Sequence, residues 1–376
     1  MYITILCRVV DNYGDIGVAW RMCRRLAKIQ SQYKICLVVD DFETFSKIEN
    51  RISPVIDSEA NATFAEQNVG KHALACDQSI IIEGVEIFHW HDETLCHDVF
   101  SKNDGERLQI ILELFQCGRP DWMEKILFEE KLNRTVQIIM IDYLTAEKYA
   151  EDFHCLKSLT RSAKVQKVNF MPGFTERTGG LIIDDEWEKL PEYNKDGPIL
   201  QFIYNGKGAE LLPEGKPLPY MNQTDWDKMM KNCSALIIRG EETMSRACLS
   251  GIPFIWQAYP QTEEYQMVKV RALLDRMRPH FDEEDFAVVE KAWIEINEGH
   301  AEDTSLRGAQ RRGNPHESGH SNTWIATPSA RNDARFFSSL PRLVPGFQSF
   351  AQSLRKNGDL CANLMTFINK IDIIDR

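Results

Sequence analysis

Tyr2-Ile3-Thr4-Ile5-Leu6-Cys7-Arg8-Val9-Val10 runs directly into Asp11-Asn12-Tyr13-Gly14-Asp15-Ile16-Gly17, and the order of these two segments decides the fold. The first is a mostly apolar run rich in β-branched residues, the composition of a parallel strand buried on both faces. The second reads as a polar loop with two glycines. Behind it, Val18, Met22, Leu26 and Ile29 recur on one helical face, with Arg21, Arg24, Arg25 and Lys28 largely off it. Tyr33 to Val39 is the next strand, ending at Asp40-Asp41. Strand, loop, helix, strand opens a doubly wound α/β domain, whose ligands bind outside the carboxyl ends of the strands.

Outward from this unit, strands are expected at Ser79–Ile82, Val85–Trp90, Gln109–Leu114 and Val136–Ile141, with helical patterns between several of them. Phe170-Met171-Pro172-Gly173-Phe174 and Thr178-Gly179-Gly180 break regularity, and residues 175–197 read as a crossover closed by Gly197-Pro198. A second α/β series begins at Ile199-Leu200-Gln201-Phe202-Ile203-Tyr204 and passes through Pro217-Leu218-Pro219-Tyr220. It continues with a helix from about Asp225 to Asn232, a strand Ala235–Ile238, a helix to about Ser250, and a strand Phe254-Ile255-Trp256. Two α/β halves of similar size suggest two domains with a cleft between them. Gly299 to about Arg335 is rich in Gly, Arg, Ser, Asn and His and reads as a long mobile loop. Amphipathic helical spacing returns with Phe347, Phe350 and Leu354, then Leu360, Leu364, Phe367 and Ile368.

Composition bounds the function. At 376 residues the chain is long enough for two domains, and 43% hydrophobic with 27% charged residues is ordinary for a folded soluble protein. No stretch approaches the roughly 18 apolar residues of a membrane span. The start lacks a basic region and a small-residue cleavage site, so no secretory signal is expected. A net charge of −12 argues against a nucleic-acid partner. The ten cysteines are scattered singly with no C-x-x-C pair, as in a cytoplasmic protein with buried free thiols.

Several groups carry chemistry, each with a plainer alternative. Asp11 and Asp15 flank the glycine loop at a strand's carboxyl end, where two carboxylates could bind a cation, position a basic acceptor or remove a proton. Capping the helix is the plainer role. Arg239-Gly240-Glu241-Glu242-Thr243 sits where a strand turns into a helix. Backbone N–H groups there, with the Thr243 hydroxyl and Arg239, suit a pyrophosphate; an Arg–Glu pair beside a capped helix is the alternative. Phe202, Tyr204, Tyr220, Trp226 and Tyr259 could form a slot for a flat base whose edge Gln223 reads, or simply pack a core. His89-Trp90-His91 with Cys96 and His97 matches no zinc spacing. Asp225-Trp226-Asp227 is a D-x-D with nothing around it to support a metal, and reads as helix-start acidity and local packing.

Taken together, these residues resemble the EarP family, bacterial protein-arginine rhamnosyltransferases that modify translation elongation factor P. The resemblance covers both halves and the C-terminal helices. Its specific words are Asp11-Asn12-Tyr13-Gly14-Asp15-Ile16-Gly17-Val18, Pro172-Gly173-Phe174 with Thr178-Gly179-Gly180-Leu181, Pro213-Glu214-Gly215, Arg239-Gly240-Glu241, and Gly251-Ile252-Pro253-Phe254 followed by Tyr259-Pro260-Gln261. It implies a GT-B fold, two Rossmann-like domains facing across a cleft. The acceptor-side domain would span 1–175, completed by C-terminal helices at about 347–376, and the nucleotide-sugar domain 176–346. It implies metal-independent, inverting transfer of L-rhamnose from dTDP-β-L-rhamnose, with no further cofactor, to an arginine of elongation factor P in the cytoplasm. By the resemblance Asp11, Asp15 and Glu241 are catalytic. Arg239, Glu242, Thr243, Phe202, Tyr204, Tyr220, Gln223 and Tyr259 meet the donor, with Gly14 counted among them. Where the family usually has Asp-Ser after Arg-Gly-Glu, this chain has Glu242-Thr243. The rival readings are a GT-B enzyme with a small-molecule acceptor and a non-enzymatic module that holds a basic partner.

Overall fold

The computed structural model describes residues 1–10, 13–53, 72–73, 79–201, 216–217, 221–298 and 330–374. It divides into two compact units: 1–188 with 220–227 and 354–376, and 189–219 with 228–353. The chain runs β1 (Tyr2–Cys7), α1 (Tyr13–Ile29), β2 (Lys34–Val39), α2 (Phe42–Ile48), β3 (Ile52–Ser53), β4 (His72–Ala73), β5 (Ile80–Ile82) and β6 (Val85–His89). It continues with α3 (Glu93–Gly105), β7 (Ile110–Leu114), α4 (Asp121–Phe128), β8 (Val136–Ile141), α5 (Tyr149–Phe153), β9 (Lys157–Ser158) and β10 (Val165–Asn169). Then come β11 (Ile199–Gln201), β12 (Lys216–Pro217), α6 (Gln223–Lys231), β13 (Ala235–Ile238), α7 (Glu241–Ser250) and β14 (Phe254–Trp256). Among the described residues, the helices α8 (Tyr265–Met277), α9 (Glu283–Glu298), α10 (Ala330–Ser338), α11 (Leu340–Lys356) and α12 (Leu360–Ile374) follow.

The first unit holds an eight-stranded sheet in the order β5-β6-β2-β1-β7-β8-β10-β9. The inner pairs are parallel, and only β5 and β9 pair antiparallel. Period-two alternation gives each face its own core. Ile3, Ile5, Leu37, Leu112 and Ile139 pack under α1, α2 and α12, through residues such as Trp20, Phe45 and Leu364. Leu6, Val38, Ile111 and Ile138 pack under α3 and α4, through Phe100, Trp122 and Ile126. The strand order reverses at β1, which pairs with β2 on one side and β7 on the other. The carboxyl ends of β1 and β7 are therefore the switch point where such sheets take ligands.

Two expectations shift here. β1 stops at Cys7 rather than Val10 because the next N–H groups leave the ladder. Val9 donates to Asp40 Oδ1 and Val10 to Asp15 Oδ2, each at 2.8 Å. And α1 begins at Tyr13, so Asp15 lies in its first turn instead of on a loop. Gly14 and Gly17, poor helix formers, hide that start from propensity.

The motif glycines after Phe170 have a packing reason. Gly180 has φ +85°, and a Cβ on it would stand 2.6 Å from the Gly358 carbonyl. Leu360 N–H donates to Leu181 O at 2.8 Å, so this loop seats the start of α12.

The second unit holds a four-stranded parallel sheet, β12-β11-β13-β14. The 299–335 loop expectation is corrected at its end: 330–335 already belong to α10, whose Phe336 is fully buried against Phe347. Residues 299–329 lie outside the described ones. Among the described residues no helix is long and apolar enough to cross a membrane.

Candidate functional site

In the first unit, the ends of three strands converge on Asp15. The β1–α1 connection brings the Val10 N–H to its Oδ2 at 2.8 Å, and the Tyr143 hydroxyl, just beyond β8, donates to its Oδ1 at 3.3 Å. Tyr143 in turn stacks on Phe115, just beyond β7, with ring centroids 4.5 Å apart and planes at 21°. Asp15 as a whole is only 2% exposed. Below it, burial pushes the Cys7 thiol well up, with the nearby Asp15 charge the next cause, so Cys7 is a neutral apolar neighbour. The plainer capping role has a physical counterpart, since an acid at the third helical position reaches back to an N–H ahead of the helix. A Cβ at Gly14 would meet nothing within 4 Å, so crowding does not explain that glycine. Asp11 lies outside the described residues.

In the second unit, β13 ends at Ile238 and α7 starts at Glu241 with Gly240 as its N-cap. The junction is a helix N-terminus and carries the positive end of the helix dipole, the usual seat for a phosphate. Arg239 is buried with its guanidinium 4.4 Å over the ring of Tyr259, which is half exposed beyond β14. Trp256 Nε1 holds the Arg239 carbonyl at 2.8 Å. Glu241 and Glu242 in the first turn would by themselves repel an anion. Each is matched by a cation: Glu241 by Lys269 at 3.6 Å, and Glu242 by the fully buried Arg246, also at 3.6 Å. The helix start therefore does not present bare negative charge.

Asn297 secures the loop that carries Tyr259. Its Oδ1 accepts from Ala258 N–H at 2.9 Å, and its Nδ2 donates to Trp256 O at 2.7 Å. Sequence reasoning passed over Asn297, Lys269 and Tyr143. Only the Glu242–Arg246 pair had a signal, its i,i+4 spacing.

Arg239, Glu241, Glu242 and Thr243 thus follow the carboxyl end of β13, and Tyr259, beyond β14, meets Arg239 there. Phe202, Tyr204 and Tyr220 lie outside the described residues. Gln223 stands with the first unit, its Nε2 donating to Gly17 O at 3.0 Å and its Oε1 accepting from Arg24 at 2.6 Å. Asp227 of the D-x-D takes both Nη atoms of Arg21, at 2.9 and 3.0 Å, while Asp225 is tied to Asn222. His97 bonds Glu130 at 2.6 Å, and burial pushes the Cys96 thiol up to about 12, so it stays protonated.

The comparisons with known proteins agree on sugar transfer. A protein-arginine rhamnosyltransferase of Shewanella oneidensis is 26% identical over 342 residues, covering 72% of this chain and 79% of its own length. One of Pseudomonas aeruginosa is 27% identical over 334 residues, covering 72% and 80%. In class, then, this chain is a glycosyltransferase. A family model described as Elongation-Factor P (EF-P) rhamnosyltransferase EarP matches residues 3–201 and 213–369, and the chain belongs to that family. A solved chain from work on the structural basis for EarP-mediated arginine glycosylation of translation elongation factor EF-P is 15% identical. It covers 98% of this chain and 99% of its own, at a TM-score of 0.37, too low to speak for the fold.

Proposed function

We propose that this enzyme moves L-rhamnose from dTDP-β-L-rhamnose to an arginine side chain of elongation factor P, with inversion and without a divalent metal. The proposed setting is the cytoplasm and the proposed framework GT-B, with the acceptor on the N-terminal domain and the nucleotide sugar on the C-terminal one. The observation that carries the reading is the family match over residues 3–201 and 213–369. The chemistry of the two candidate sites supports it. A guanidinium is a weak nucleophile, with delocalised lone pairs and a pKa above ~12. Asp15, with Asp11 as its partner, grips it through charge-assisted bonds and accepts its proton as nitrogen bonds to the anomeric carbon. The anomeric C–O bond breaks on the opposite face and dTDP leaves with the electron pair. Arg239 and the first N–H groups of α7 stabilise that charge, so no metal is needed there. Glu241 aligns sugar and acceptor from the donor side. Thr243 and Glu242 border the diphosphate, and Phe202, Tyr204, Tyr220 and Tyr259 hold the nucleotide.

Intact-mass analysis of elongation factor P after incubation with the enzyme and dTDP-rhamnose tests this. One added deoxyhexose, on an arginine and undiminished by excess EDTA, is the expected result. Donor turnover without a gain on elongation factor P would point to a small-molecule acceptor instead. Loss of the gain with EDTA, restored by manganese, would overturn metal independence. Separately, Lys269→Met removes the positive charge that faces Glu241 at 3.6 Å, beside the proposed diphosphate. It should weaken dTDP binding by roughly five-fold at low salt and less at high salt, as calorimetry would read. Unchanged affinity at both would place the diphosphate away from the start of α7.

A further inference from the structure

We propose that Tyr143 is a positioning residue for the Asp15 carboxylate, fixing the plane in which it meets the acceptor. The proposal rests on the reading of Asp15 as the base. The terminal torsion of an aspartate is broad, so a single hydrogen bond leaves the carboxylate free to rock. Asp15 has its two oxygens held by different parts of the chain. Oδ2 takes the Val10 N–H from its own connection, and Oδ1 takes the Tyr143 hydroxyl from a segment 128 residues away. Each carboxylate oxygen has a second lone-pair direction, so neither bond uses up its capacity to accept from a guanidinium.

The position of the phenol is itself over-determined. Its ring lies 4.5 Å from that of Phe115 at 21°, and the Tyr143 backbone N–H donates to Asp142 Oδ1 at 2.8 Å. Phe115 has φ +54°, as does Gln116, a left-handed conformation that bulky L residues adopt rarely. The Phe115 N–H is tied to Ile141 O at 2.8 Å. Strained backbone persists where its surroundings hold it, and it clusters where geometry serves a function. Here the strain sits after β7, at the switch point of the sheet, and aims the ring on which Tyr143 rests. If Tyr143 only filled space, phenylalanine would serve equally well.

The test uses the full chain with elongation factor P and dTDP-rhamnose. Tyr143→Phe keeps the ring and its stack but deletes the hydroxyl. It should lower kcat by about 10-fold, the scale of a modest misalignment, with KM for the sugar nucleotide within about two-fold and the melting temperature unchanged. In an Asp15→Asn background the same change should cost less than about two-fold, since no carboxylate remains to orient. Phe115→Leu, which loosens the ring, should fall between wild type and Tyr143→Phe. A silent Tyr143→Phe beside a disabled Asp15→Asn would overturn the positioning role and leave the base standing. Equal losses in both backgrounds would show Tyr143 acting independently of Asp15 and overturn it too. A silent Asp15→Asn would remove the base reading and this inference with it.

Discussion

Asp15→Asn is expected to cut single-turnover rhamnosyl transfer by ~10²-fold or more, the usual range for losing a general base, while dTDP affinity stays within a few-fold. The substitution is unusually clean at this position. An asparagine can offer its carbonyl oxygen to the Val10 N–H and turn its amide toward the Tyr143 oxygen, which then accepts where it had donated. Both anchors survive and only the negative charge is lost. The capping alternative makes a different forecast, since losing a cap costs ~1 kcal/mol and asparagine largely replaces aspartate in it. Stability alone therefore cannot separate the two roles, whereas transfer can. A pair of measurements on the same variant, melting temperature and single-turnover rate, decides the matter. Near-wild-type transfer would leave Asp15 a structural acid at the start of α1, whatever its stability.

The limits of sequence reading can be traced to particular residues. β2, β8, β13 and β14 were legible because parallel strands buried on both faces are continuous apolar runs. The carboxyl end of β1 and the start of α1 were not, because side-chain acceptors from Asp40 and Asp15 end the ladder and glycines open the helix. α8 and α9 had gone unread for a different reason. Gln266, Asp285 and Asn297 are buried there while Val268 is half exposed, so polar residues occupy core positions and blur the apolar stripe. At the candidate sites, Arg239-Gly240-Glu241-Glu242-Thr243 was readable because a strand–helix junction is local in sequence. Tyr143 reaches Asp15 across 128 residues and Asn297 reaches Ala258 across 39, and no spacing rule spans such distances.

Arg21→Met should cost about 3–5 kcal/mol of stability, the range for breaking a buried ion pair by removing one partner. Helical periodicity placed Arg21 off the apolar face of α1, which for a surface helix means solvent. Instead it is 1% exposed, because the face opposite the sheet is also covered, by Asp184 and by Asp227 of α6. Its Nη1 meets Asp184 at 2.5 Å, and both Nη atoms take Asp227 in a fork. Methionine keeps the volume and removes the charge, so two close carboxylates lose the cation between them. For a protein of this size the melting temperature should fall on the order of 10 °C. Arg21→Lys keeps the charge but not the planar fork, and should lose less. Asp227→Asn leaves Arg21 with Asp184 and should lose less than Arg21→Met. Pairing Arg21→Met with Asp227→Leu should recover part of the loss, since apolar groups often replace a buried pair at little cost. That order also separates the two readings of the D-x-D. If Asp227 serves Arg21, the double variant is more stable than the Arg21→Met single one. Equal melting temperatures for the two would show that Asp227 gains nothing from Arg21, and its place at the start of α6 would need another explanation.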